Sequence, residues 1–92
     1  MRRSKLELYL DVLEVFVTCW PIRLTAVTLK AKISYVPLKK ITKKLVADRL
    51  VEERRLEDFT VYSATPKARV VLFKLKEVKQ SFPSFEGYLL NK

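Results

Sequence analysis

The chain has 92 residues, a formal net charge of +9, 49% apolar and 32% charged side chains, one cysteine, one glycine and no histidine. That length suits a single domain with a modest core and leaves little room for an enzyme cleft with its scaffold. With no His, no Cys pair and no glycine-rich phosphate loop, neither catalysis nor a metal or cofactor is expected, and the positive charge points to acidic partners.

Ser4 is placed to cap a first helix, with Glu7 three residues on completing a capping box. Leu6, Leu10, Leu13 and Val17 recur at helical spacing, widened by Tyr9 and Phe16, so this helix is expected over Lys5 to Thr18. Cys19 follows beside Trp20 and is expected as a small core residue in a reducing compartment. Pro21 ends the helix, and Ile22-Arg23-Leu24 are expected as a short strand. Thr25 is placed to cap a second helix, Ala26 to Lys32.

Ser34 is placed to cap a third helix ending near Asp48-Arg49, with Pro37 in its first turn, where the missing N–H costs nothing. Leu38, Ile41 and Leu45 form its inward stripe. Lys39, Lys40, Lys43 and Lys44 project elsewhere, with Thr42 beside them. Two short helices meeting at Ile33-Ser34 have the spacing of a helix-turn-helix. Leu50 to Arg54 and Phe59 to Ser63 read as paired strands around an Arg55 to Asp58 loop. Thr65-Pro66 starts a last helix reaching about Gln80, whose apolar residues cover more than one face. The tail beyond, with Phe82, Phe85, Tyr88, Leu89 and Leu90, is too apolar for an ordinary solvated end. No apolar run approaches the ~20 residues of a membrane span.

The charge is unevenly spread. Between Glu14 and Asp48 there is no acidic residue, yet the stretch holds Arg23, Lys30, Lys32, Lys39, Lys40, Lys43 and Lys44. Lysine pairs without acidic neighbours one turn away repel each other in the free protein. An opposing polyanion relieves that repulsion.

The order of elements is that of a winged helix-turn-helix, an α+β fold with a three-helix core, a β-hairpin wing and an additional C-terminal helix. The residues resemble a branch of it. Arg3-Ser4-Lys5-Leu6-Glu7, Lys30-Ala31-Lys32-Ile33-Ser34-Tyr35 and Pro37-Leu38-Lys39-Lys40 resemble the small archaeal winged-helix DNA-binding proteins, which include transcriptional regulators and ten-kilodalton chromatin-associated proteins. Val61 to Ala68 matches their junction between strand and last helix more loosely. The chain departs from them in having Arg49 and Ala68 where glycine is usual, a short glycine-free wing and a shorter last helix.

The resemblance implies a domain over residues 1–80 and a tail over 81–92 that packs on the domain or on a dimer mate. It implies a recognition helix in the major groove, with Ser34, Tyr35, Val36, Lys39, Lys40, Lys43 and Lys44 near double-stranded DNA. Lys30 and Lys32, with Arg23, flank them on the backbone, and Arg54 and Arg55 sit on the wing. Tyr35 either bonds a phosphate or packs on the second helix. Arg54 and Arg55 either reach the DNA or pair with Glu52, Glu53, Glu57 or Asp58. Homodimerisation is expected through the last helix and tail, by Val70, Phe73, Val78, Phe82 and Phe85. Lysines act as point charges on phosphates and carry little base information, so affinity is expected with limited base specificity. The expected role is a cytoplasmic, nucleoid-associated regulator or architectural protein. A protein–protein adaptor and an RNA-binding module are the alternatives.

Overall fold

The computed structural model describes residues 4–81, with side chains as far as Val78. The elements run α1 (Lys5–Thr18), α2 (Leu24–Ala31), α3 (Tyr35–Ala47), β1 (Val51–Arg55), β2 (Thr60–Ala64) and α4 (Pro66–Ser81). This is the winged helix-turn-helix architecture, with a two-stranded antiparallel sheet as the wing.

The start of α1 is decided by its own sequence. The Glu7 amide donates to Ser4 Oγ at 3.1 Å and the Ser4 amide to Glu7 Oε1 at 3.2 Å, so two otherwise unpaired donors are satisfied. Leu10, Val12, Leu13 and Phe16 of α1 are buried and make the centre of the core. Around them lie Val27 of α2, Leu38 and Leu45 of α3, Val51 and Tyr62 of the wing, and Ala68 and Leu72 of α4. Cys19 is half-buried at the edge of this core rather than within it.

The expected strand at Ile22-Arg23-Leu24 does not form. Ile22 makes a single bridge to Tyr62, with N–O distances of 3.0 and 2.8 Å, and Leu24 already opens α2. The helix therefore begins at Leu24, earlier than the Ala26 expected. Arg23 stands at its N-cap with no side-chain cap bond. The cause is tertiary. Leu24 and Ile22 are both buried, and the pairing of Ile22 with the wing ends where Leu24 must turn into the core.

α2 and α3 both end in a left-handed residue. Lys32 has φ 53° and Arg49 φ 61°. At the second site the Arg49 amide reaches Val46 O and the Leu50 amide reaches Leu45 O, and Leu45 and Leu50 are both buried. That is a complete Schellman closure, hydrophobic contact included. The wing strands pair from Val51 with Ala64 to Arg55 with Thr60, one residue later on each side than the sequence pattern indicates. The Thr65 hydroxyl does not cap α4 but donates back to the carbonyls of Arg49 (2.7 Å) and Leu50 (3.2 Å). It ties the start of α4 to the end of α3.

Candidate nucleic-acid interface

α3 presents its charges because its other side is committed to the core. Leu38, Thr42 and Leu45 are buried, Ile41 and Val46 are half-buried, and Lys39, Lys40, Lys43 and Lys44 are exposed. At about 3.6 residues per turn, Val36, Lys40, Lys43 and Ala47 form the crest opposite the buried stripe. Tyr35 and Lys39 lie on the flank toward the wing, and Lys44 on the other. The grouping of Thr42 with the outward lysines is corrected. It is 3% exposed, and its Oγ1 has no hydrogen-bond partner among the described residues. Four residues after Leu38 and three before Leu45, it falls by spacing on the buried stripe, and only its polar character sets it with the lysines.

Beside α3 the structure forms a cleft of about 420 Å³ between α2, α3 and the wing. Arg23, Lys39 and Arg55 supply its positive charge, Thr25, Tyr35 and Thr60 its hydroxyl groups, and Asp58 a single carboxylate. The uncapped first turn of α2 borders it. Arg23 lies over the Phe59 ring at 4.6 Å and bridges the α2 entrance to the wing. Tyr35 is 46% exposed, and Lys39 Nζ sits 5.8 Å from its ring. A smaller cleft of about 180 Å³ follows along α3, lined by Leu24, Lys39, Thr42, Lys43, Val46, Glu53 and Tyr62. There Tyr62 donates to Glu53 Oε2 at 3.2 Å. Burial raises the Tyr62 phenol above its ordinary value, helped by the Glu53 charge and hydrogen bond.

Ser34, Lys30, Lys32, Arg54 and Arg55 are all exposed. Among the described residues, neither Arg54 nor Arg55 makes a salt bridge. Glu53 is instead engaged with Tyr62. The structure thus gathers Tyr35, Lys39 and Arg55 around one cleft and sets Val36, Lys40 and Lys43 on one crest. Lys30 and Lys32 belong to a separate concavity with Asp11 and Glu14. The hydroxyls of Thr25 and Thr60 were missed. No local pattern could have revealed them, because the cleft joins segments more than 30 residues apart in sequence.

Of the residues assigned to dimerisation, Val70 and Phe73 are 54% and 67% exposed and Val78 is half-buried. Phe82 and Phe85 lie outside the described residues, as does the tail from residue 82. A groove of about 600 Å³ between α1 and α4 is lined by Val17, Trp20, Leu72 and Phe73, with Arg69 and Lys76 at its rim. No helix among the described residues is long and apolar enough to cross a membrane.

No family model and no curated protein sequence matches this chain. Solved structures do. Sso10a-2, a DNA-binding protein from Sulfolobus solfataricus, superposes with a TM-score of 0.74 at 23% identity over 95% of this chain and 93% of that one. The transcriptional regulator BldR from Sulfolobus solfataricus gives 0.70 at 21% identity over 84% of this chain and 57% of its own. FabT from Streptococcus pneumoniae, solved in complex with DNA, gives 0.65 at 13% identity over 83% and 55%. The chain spans little more than half the length of BldR and of FabT. The likeness establishes the winged-helix fold, without singling out the small archaeal branch.

Proposed function

We propose that this chain is a double-stranded DNA-binding protein, a transcriptional regulator or nucleoid-associated protein that binds through α3 with limited base specificity. The observation that carries the reading is the outer surface of α3. Lys39, Lys40, Lys43 and Lys44 are all exposed there, and none forms an ion pair among the described residues. Such a surface repels itself in the free protein and is relieved by phosphates. The neighbours described as DNA-binding or solved with DNA support the same reading.

In this reading the crest of α3 enters the major groove. The cleft of Arg23, Thr25, Tyr35, Lys39 and Arg55 seats a backbone phosphate against the uncapped first turn of α2. Arg54 and Arg55 continue the contact along the wing. Each protomer of a homodimer, joined through α4, would meet a half-site one helical turn from the other or a multiple of it.

A gel-shift titration across salt, on duplex DNA, single strands and double-stranded RNA, tests this. Duplex affinity should fall by about three to five decades between roughly 50 and 200 mM salt if roughly 6–10 phosphates are contacted. Replacing Lys39, Lys40 and Lys43 together by Glu should abolish the shift while leaving the circular dichroism spectrum unchanged. Unchanged affinity would remove α3 from the interface. No shift on any nucleic acid would favour the protein–protein adaptor.

A further inference from the structure

We propose that Val36 reads thymine in the major groove through the base's C5 methyl group, and that this is the principal direct base recognition α3 offers. The inference rests on the DNA-binding reading above and adds the base and the residue to it. Val36 is 65% exposed in the first turn of α3, on the crest it shares with Lys40, Lys43 and Ala47. It belongs neither to the buried core nor to the residues packed against it. An isopropyl group held in water at the apex of a lysine-rich surface gains stability only when something apolar covers it.

Among the described residues, the other large exposed apolar side chains lie elsewhere or on the flank of α3. Trp20 follows α1, Leu29 is on α2, Leu56 and Phe59 are at the wing, and Val70 and Phe73 are on α4. Tyr35, on α3 itself, turns its flank to the wing cleft and to Lys39. Val36 alone among the large exposed apolar residues occupies the part of α3 that a groove floor would meet.

That floor offers hydrogen-bond donors and acceptors and one kind of apolar group, the thymine methyl. Between Tyr35 and Ala47 there is no Arg, Asn or Gln to fork onto guanine or adenine, and no Asp or Glu to accept from cytosine. Lys40 and Lys43 bring point charges that serve phosphates and guanine alike. Beyond lysine contact with guanine, the base-discriminating chemistry left on the crest is apolar contact.

The local backbone favours it. The first turn is the end of a recognition helix that reaches base edges. A β-branched side chain in a helix keeps essentially one χ1 rotamer, so its tip is already ordered before contact. Pro37, next in the chain, stiffens the same turn.

The test compares alternating d(AT) duplexes with d(AU) duplexes of the same length, which differ only by the methyl group. A reciprocal pair, d(GC) against d(GC) carrying 5-methylcytosine, returns a methyl to the same groove position in a different sequence. By anisotropy at fixed salt, the protein should bind d(AT) more tightly than d(AU) by about fourfold for each methyl covered. It should gain in the same direction on methylating cytosine.

Val36→Ala, a better helix former, should bring both ratios close to one, while Val36→Ile, which keeps the branched apolar tip, should retain them. Equal affinity for d(AT) and d(AU), with duplex binding intact, overturns the methyl reading and leaves DNA binding standing. A thymine preference that survives Val36→Ala overturns the assignment to Val36. Failure to bind any of these duplexes overturns the DNA-binding reading itself.

Discussion

Thr42 shows how one side chain can be shaped by two demands. It sits in the buried stripe of α3 between Leu38 and Leu45, where a valine would fill the same volume, and its hydroxyl has no partner there. An unsatisfied buried hydroxyl costs on the order of 1–3 kcal/mol. Thr42→Val should therefore stabilise the protein by about 1 kcal/mol in urea unfolding, with an unchanged denaturant slope. A loss of stability would mean that the hydroxyl is bonded in solution. Tyr62 makes the opposite choice. Its ring packs 6.0 Å from Phe16 and its hydroxyl finds Glu53, so a half-polar side chain can close the core beneath the wing.

Among the elements, α3 is bounded by unlike devices. Its start relies on backbone geometry, since Ser34 is extended but makes no side-chain cap bond. Its end is a Schellman closure that requires a left-handed residue, and that residue is Arg49 at φ 61°. For an L-residue with a Cβ this conformation costs about 1–2 kcal/mol, a penalty glycine escapes. Part of the gain from glycine is lost to its freer unfolded chain. Arg49→Gly should thus stabilise the protein by roughly 0.5–1 kcal/mol and raise Tm by several degrees. A fall in Tm would show that the Arg49 side chain does more than occupy the turn.

The limits of the wing strands lie one residue from those the sequence pattern indicates. The wing is exposed over most of β1, so alternation is weak, and the register is decided by the pairing of Val51 with Ala64 above α3.

At the scale of the molecule, α1 is the hub, packing on α2, α3, α4 and β2. The Lys76–Glu14 ion pair joins α4 to α1, but both side chains are about half exposed (47% and 46%). Such a pair contributes at most about 1 kcal/mol, so the buried Leu72 and Ala68 hold α4 in place. What α4 leaves uncovered, Val70 and Phe73, belongs to the surface proposed to meet a second copy. Sedimentation at micromolar concentration should give the mass of two chains, and Phe73→Glu should give that of one. A one-chain mass for the unaltered protein would refute the dimer.

Much of this was legible in the residues alone. The capping box at Ser4 and Glu7, Pro66 at the first position of α4, the helical period of α1 and the lysines of α3 all act within a few positions of themselves. Local sterics and hydrogen bonding need no distant partner, so sequence by itself determined the order of the four helices and the hairpin, and with it the winged-helix fold. Other features depended on segments brought together from afar. Ile22 ends as a single bridge because Tyr62 meets it. The cleft exists only where Arg23 and Thr25 come to face Arg55 and Thr60 across the Arg23–Phe59 stack. Only the tertiary structure decided these, because burial and charge convergence are properties of a packed surface rather than of a stretch of chain.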